Sequence, residues 1–122
     1  MIAHSRIFIG LAILFLAAVS SAPARAGGGP ENLFLVVNSN SPDSLAVANA
    51  FVALRGVPPI NVLMLPWTAG TESATIAAFR TDLLTPILRA IDGRKLSPHI
   101  DAIVYSSDFP WRIDFAAELP KE

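Results

Sequence analysis

The sequence contains no cysteine, and this absence excludes several kinds of site. Disulfide bonds, zinc–thiolate centres, a cysteine nucleophile and a lipid anchor on cysteine are not available to the chain. The sequence also lacks a charge excess of either sign, because 9 Lys and Arg stand against 10 Asp and Glu. Composition therefore gives no reason to expect a nucleic acid or a membrane surface as a partner.

The N-terminal segment has the layout of a secretory signal peptide. Arg6 precedes an uninterrupted apolar stretch over residues 7–19, and small residues follow up to Ala26. A membrane-spanning helix is the rival interpretation, but it needs roughly 18 to 20 apolar residues and this stretch is shorter. The sequence therefore predicts cleavage after Ala26, export through the inner membrane to the periplasm or the medium, and no stable membrane anchor after cleavage.

The rest of the chain is long enough for one small domain. We expect a flexible leader over residues 27–32, which begins with three glycines and a proline, and an α/β domain over residues 33–122. Short apolar runs rich in β-branched residues predict buried strands at residues 33–38, 60–65 and 100–107.

Helix signals lie between the predicted strands. Ser41 is a typical N-cap residue, and Gly56 fits the left-handed position after a last turn, so a helix is predicted over residues 42–55. A second helix is predicted from apolar residues at helical spacing, which are Ile76, Phe79, Leu83 and Ile87. Pro86 interrupts this pattern, so we expect a kink, or two short helices with Thr85 as a cap.

The order strand, helix, strand, helix, strand predicts a three-layer α/β fold with a mostly parallel sheet. Three strands and two helices cover such a sheet incompletely, although parallel sheets are normally buried on both faces. The first helix also has apolar residues on two sides, with Val47, Phe51 and Leu54 on the second side. We therefore expect either the N-terminal part of a larger α/β domain or a protomer whose remaining surface is covered by a protein partner.

A set of short motifs resembles one protein family. Arg55-Gly56-Val57-Pro58 leaves the first helix, Asn61-Val62 lies in the second strand, and residues 100–113 end in a Pro-x-Arg-Ile pattern. Together they resemble a family of uncharacterised secreted bacterial proteins that co-occurs with the exosortase protein-sorting system. The resemblance implies an exported α/β protein and carries no known reaction. Asp108 stands where the family has glycine, which argues against a positive φ at this position.

The element order is also distantly similar to the caspase and gingipain-like fold. Proteases of that fold place a catalytic His after the third strand and a Cys after the fourth. Here Ser106, Ser107 and Asp108 follow the third predicted strand, and the chain has no cysteine. A Cys-His protease mechanism is therefore excluded.

Two groups of polar residues are expected at the carboxyl end of the sheet, where open parallel sheets bind ligands. The first group is Asn38, Asn40 and Ser41, and the second is Ser106, Ser107 and Asp108. A helix cap and a polar turn are the simpler interpretations of the two groups. Neither group includes a base or a set of metal ligands, so we assign no catalytic residue, metal site or cofactor.

Trp67, Trp111 and Arg112 are candidate partner-binding residues, because Trp and Arg are enriched at the centres of interfaces. Core packing is the simpler role for a tryptophan, and an ion pair with Asp108 or Asp114 is the simpler role for the arginine. The preferred hypothesis is an exported, non-catalytic binding or assembly module. The alternative is the N-terminal half of a secreted hydrolase whose catalytic residues lie beyond this chain.

Overall fold

The computed structural model describes residues 28–116 and 118–119, so the predicted signal peptide lies outside the described residues. The strands are β1 (Leu33–Asn38), β2 (Val62–Leu65), β3 (Ser73–Thr75), β4 (Ala102–Tyr105) and β5 (Arg112–Asp114). Helix α1 is Pro42–Arg55. Helix α2 covers residues 76–93 and consists of α-helical Ile76–Ala78, π-helical Phe79–Leu84 and α-helical Thr85–Gly93. In this part of the chain, neither helix has the length and apolar character that a membrane span requires.

Strand β1 is the centre of a three-stranded parallel sheet with the order β2-β1-β4. Leu35 is opposite Val62 on one side, and Phe34 is opposite Ile103 on the other. The parallel alignment follows from the helical connections, since a parallel pair needs a crossover between its strands. The prediction of an α/β fold with parallel strands is confirmed. The larger three-layer domain stays a prediction, because β2 and β4 are the outer strands of this sheet as far as the structure describes the chain.

The two faces of β1 pack against different helices. Phe34 lies in a buried cluster with Ile87 of α2, and Leu35 lies in a second buried cluster with Ala48 of α1. Successive side chains of a strand point to opposite faces, so each helix covers every second residue of β1. Burial on both faces explains why β1 is apolar at consecutive positions.

Helix α1 begins and ends where the sequence predicts. The Ser41 Oγ accepts a hydrogen bond from the Ser44 N–H at 3.0 Å. At the other end Gly56 has a φ of 68°, and its N–H donates to the Val52 carbonyl oxygen at 2.8 Å. Both caps satisfy backbone groups that a helix end leaves unpaired, so local sequence signals suffice to set these boundaries.

The second apolar side of α1 is only partly covered. Phe51 packs against the cluster that contains Ala48. Val47 is exposed, and Leu54 is exposed over 83% of its surface. The described residues therefore leave two of the three apolar side chains on this side in contact with solvent.

The sequence allows two outcomes at Pro86, a kink or two short helices with Thr85 as a cap. Thr85 does not act as such a cap in the structure. Thr85 has helical angles, with φ −62° and ψ −46°, and its N–H donates to the carbonyl oxygen of Arg80, five residues back. Pro86 therefore follows directly on a π-helical segment. A proline ring clashes with the carbonyl four residues earlier in an α-helix, and the wider π turn changes the bonding pattern at that point.

Several short elements differ from the sequence predictions. Strands β3 and β5 pair in parallel as a second sheet, and neither was predicted. Residues 30–32, assigned to a flexible leader, form the 3₁₀ turn Pro30–Asn32. The Asn32 Nδ2 donates to the His99 carbonyl oxygen at 2.7 Å, and the Asp101 N–H donates to the Asn32 carbonyl oxygen at 2.7 Å. These hydrogen bonds hold the end of the expected leader against the segment that enters β4.

Candidate functional site

The carboxyl end of β1 carries a buried polar side chain that joins three loops. Asn38 is only 2% exposed. Its Nδ2 donates to the carbonyl oxygens of Trp67 at 3.1 Å and Asp108 at 3.0 Å. Its Oδ1 accepts from the backbone N–H groups of Asn40 at 3.0 Å and Trp67 at 3.1 Å. These four hydrogen bonds use both donors and both lone pairs of the amide, so the Asn38 side chain has none left for a ligand.

Two serines and an aspartate extend this arrangement. We call Asn38, Ser41, Ser44, Trp67 and Asp108 the Asn38 network. The fully buried Ser44 Oγ accepts from the Asn38 N–H at 2.9 Å. The Ser41 hydroxyl donates to the Asp108 Oδ2 while its oxygen caps helix α1. Ser41 is therefore a helix cap that also connects the bend after β1 with the loop after β4.

Asp108 has a φ of 63°, in the left-handed region. The expectation that an aspartate in place of glycine argues against a positive φ here is wrong. Aspartate is one of the few residues besides glycine that enter this region readily. The Asp108 carbonyl oxygen accepts from Asn38 and its carboxylate accepts from Ser41, and these bonds hold the conformation.

The second predicted group of polar residues lies beside the first, as expected. The Ser106 Oγ donates to the Ser44 carbonyl oxygen at 2.6 Å. The Ser107 Oγ is buried and has no hydrogen-bond partner among the described residues. Asn40 is exposed and contributes its backbone N–H to Asn38. The two groups therefore meet at one end of the sheet, where most of their polar atoms bind one another.

This end of the sheet has few of the groups that catalysis requires. A serine nucleophile needs an adjacent base, and the Asp108 carboxylate is hydrogen-bonded to Ser41, whose oxygen is already engaged as the cap of helix α1. His99 is the one histidine in the described part of the chain; it is exposed and precedes β4, whereas the polar groups follow it. The described residues also contain no group of three His, Asp or Glu side chains that could hold a metal ion.

The two candidate tryptophans lie in different environments. Trp67 is 6% exposed, belongs to the cluster around Phe34, and donates from Nε1 to the Gly70 carbonyl oxygen at 3.3 Å. Trp111 is 74% exposed. Trp67 is therefore a core residue, and it does not form a surface with Trp111. The residues around each tryptophan in the sequence do not indicate whether its side chain is buried or exposed.

Arg112 lies beside Trp111 on the surface. Its guanidinium carbon is 5.4 Å from the centroid of the Trp111 ring, and its Nη2 is 3.5 Å from the Glu72 Oε1. The arginine therefore pairs with a carboxylate of the loop before β3, and the expected pairs with Asp108 or Asp114 are not seen. Both partners are largely exposed, so the pair contributes well under about 1 kcal/mol to stability.

Two grooves flank the outer edge of β4, and sequence analysis did not predict either. The first has a volume of about 260 Å³ and is lined by Leu88, Ile91, Ile100, Asp101, Ala102 and Ile103. The second has a volume of about 280 Å³, and its lining includes Leu33, Phe51, Arg55, Asp101, Ala102 and Val104. Each groove combines residues that are far apart along the chain, which is why the sequence pattern contains no sign of them.

Tyr105 is the last residue of β4. Its ring packs edge to face against Phe109, with 5.3 Å between the ring centroids. Burial raises the pKa of the Tyr105 phenol above its ordinary value of 10.0, because the ionised form would be poorly solvated. The side chain is therefore a neutral hydrogen-bonding group at physiological pH.

The carboxyl end of the sheet and the outer edge of β4 are thus the two regions from which a function can be argued. The first is a network of satisfied hydrogen bonds with one unpartnered hydroxyl, and the second is a strand edge without a partner among the described residues, between two grooves. Comparisons of this chain with protein-family models, with curated proteins and with solved structures find no match.

Proposed function

We propose that this protein is an exported, non-catalytic binding or assembly module whose open sheet is completed by another polypeptide. The observation that carries the proposal is that β2 and β4 each have only β1 as a neighbour among the described residues. An outer strand presents a row of unpaired N–H and C=O groups, and parallel sheets are normally enclosed. A bound polypeptide would pair these groups and cover the apolar side chains beside them.

Exposed apolar side chains support the same proposal. Leu54 on α1 and Met64 on β2 are large apolar residues with more than half of their surface exposed. Trp111 is also exposed and carries the Arg112 guanidinium over its ring, a combination of residue types that is frequent in interface hot spots. Surface of this kind marks interaction sites when it forms patches.

The binding proposal is tested on the protein purified in its exported form. We expect concentration-dependent self-association or fluorescence of a dye that binds apolar surface. The variant Leu54→Glu removes the most exposed of the large apolar side chains and should lower dye binding without changing the thermal midpoint. A compact monomer that leaves the dye dark would contradict the proposal.

Export is proposed from the N-terminal sequence and from the resemblance to secreted proteins. Expression in a bacterial host with the native N-terminus intact, followed by fractionation and N-terminal sequencing, tests it. We expect a mature chain that begins at Gly27 outside the cytoplasm. Recovery of an uncleaved chain in the cytoplasm, under conditions in which a control protein is exported, is the contrary result.

A hydrolase remains the alternative, and one observation favours it. The Ser107 hydroxyl is buried without a described partner, next to Asp108 with its positive φ. Unpaired polar groups and rare backbone conformations are enriched at functional sites. If residues beyond this chain complete a hydrolase site, Ser107 and Asp108 would form part of one wall of it. Replacing both by alanine in a longer form of the protein should then abolish turnover, and unchanged turnover would remove these residues from the site.

A further inference from the structure

The two grooves beside β4 share residues but are lined by different helices, which pack on opposite faces of the sheet. Asp101 and Ala102 line both grooves. The first groove also contains Leu88 of helix α2, and the second contains Phe51 of helix α1. A strand added beside β4 would direct alternate side chains into the two grooves, because successive side chains of a strand point to opposite faces.

The size and lining of the grooves fit side chains better than a small molecule. Pockets for drug-sized ligands have volumes of about 300 to 1,000 Å³, and the two grooves lie just below the lower end of this range. Five of the six residues that line the first groove are apolar, and Asp101 is the exception; the second groove has the apolar residues Phe51 and Val104 beside the charged residues Arg55 and Asp101. The arrangement favours an occupant with apolar side chains on both faces.

The outer side of β4 has backbone groups that can pair with an added strand. Among the described residues it pairs only with β1. Alternate N–H and C=O groups of a strand point to its two sides, so the outer side of β4 presents donors and acceptors at strand spacing. Ala102 is exposed and small, which allows another backbone to approach closely.

We propose that the outer edge of β4 binds an extended segment of a separate polypeptide, apolar on both faces, by strand addition. This inference rests on the proposed function and specifies its partner. A second copy is disfavoured, because a four-residue edge is far smaller than the roughly 20 to 30 residues per side of a stable interface.

The probe is a fluorescent peptide with the sequence of residues 33–38 between pairs of lysines. This is the sequence of β1, which is apolar on both faces and already pairs with the other edge of β4. A control peptide replaces Leu35 and Val37 with Asp, so that only one face stays apolar. Fluorescence anisotropy on the purified protein should show saturable binding of the first peptide and at least about tenfold weaker binding of the second.

Two protein variants locate the site. Ala102→Lys puts a charged side chain at a position that lines both grooves, and it should weaken peptide binding by about tenfold or more. Ala46→Lys makes the same substitution at an exposed alanine of helix α1 that lines neither groove, and it should leave the affinity within about twofold. Hydrogen exchange on the wild-type protein should show slower exchange of the amides of residues 102–105 when the peptide is bound, and this measurement needs no variant.

Several results would overturn the inference. They are absence of saturable binding, equal affinity for both peptides, equal losses in the two variants, or protection of β2 in place of β4. Slow hydrogen exchange of the outward-pointing β4 amides in the absence of peptide would also contradict the inference. If this protection rises with protein concentration, a second copy occupies the edge. If it does not, the chain itself occupies the edge. If the occupant is the chain itself, the proposed function also loses the free edge of β4. In the other cases dye binding or self-association would still support the broader proposed function, so the two failures are distinguishable.

Discussion

Replacement of Asn38 by alanine should destabilise the protein strongly. The change removes four hydrogen bonds, two of them to the buried backbone N–H and C=O of Trp67. The bonds to Asn40 and Asp108 are only partly buried, so water can replace them at little cost. Each buried group left without a partner costs about 1 to 3 kcal/mol. The two groups of Trp67 therefore predict a loss of about 3 kcal/mol, a large part of the 5 to 15 kcal/mol that is typical of a domain.

Urea unfolding followed by circular dichroism measures this loss. Small proteins have urea m-values of about 1 to 3 kcal/mol/M, so the midpoint for Asn38→Ala should fall by about 1 to 3 M. Asn40→Ala is the matched control, since this exposed residue contributes only its backbone N–H, and it should change stability by less than about 0.5 kcal/mol.

A third variant separates hydrogen bonding from side-chain volume. Asn38→Asp keeps the shape and the acceptor oxygen of the side chain but loses both Nδ2 donors, and it sets a carboxylate against two carbonyl oxygens. It should be at least as unstable as Asn38→Ala at neutral pH. A loss below about 1 kcal/mol for Asn38→Ala, or an equal loss for Asn40→Ala, would refute the assignment of Asn38 as the residue that joins the three loops.

Three further predictions concern individual side chains. Gly56→Ala should cost about 1 kcal/mol in thermal unfolding, because the φ of 68° is unfavourable for alanine although a Cβ would meet nothing within 4 Å; an unchanged midpoint contradicts this. Ile87→Ala should cost about 2 to 5 kcal/mol because the residue is fully buried, whereas the half-exposed Leu88→Ala should cost clearly less, and similar losses would argue against the packing of α2. Titration of phenolate absorbance should give Tyr105, the one tyrosine of the sequence, a pKa above 10.0. Since the folded state keeps this proton longer, the associated stability is present below pH 10.0 and is lost as the pH rises through the folded pKa; a midpoint at or below 10.0 is the contrary result.

The sequence predicts those parts of the fold that depend on neighbouring residues. Helix α1 has the predicted bounds because its cap at Ser41 and its left-handed stop at Gly56 act within one turn of the helix. Strand β1 is predicted correctly because burial on both faces makes its apolar run continuous. Strands β3 and β5 are only three residues long, and each depends on the other for its hydrogen bonds. No local pattern of apolar residues indicates such a pair.

The sequence likewise predicts only part of the candidate site. The sequence correctly groups Asn38 with Asp108, because the carboxyl ends of parallel strands share one edge of the sheet. It gives no indication that Ser44 is fully buried and bonded to the Asn38 backbone, since a serine in the first turn of a helix is ordinarily exposed. It leaves Trp67 open between the core and a binding surface, because the burial of this residue is set by β1 and α2, elements distant in the sequence.

The Asn38 network also has a consequence for the order of folding. Its central side chain bonds to residues 29 and 70 positions away, so these bonds form only after β1, β2 and β4 have come together. Contacts between distant residues are costly to make early, because the intervening loops must first be closed. Asn38 should therefore have a φ-value near zero, and Asn38→Ala should accelerate unfolding with little effect on the folding rate. We therefore expect the polar end of the sheet to form late in folding, and its hydrogen bonds to lengthen the lifetime of the folded state.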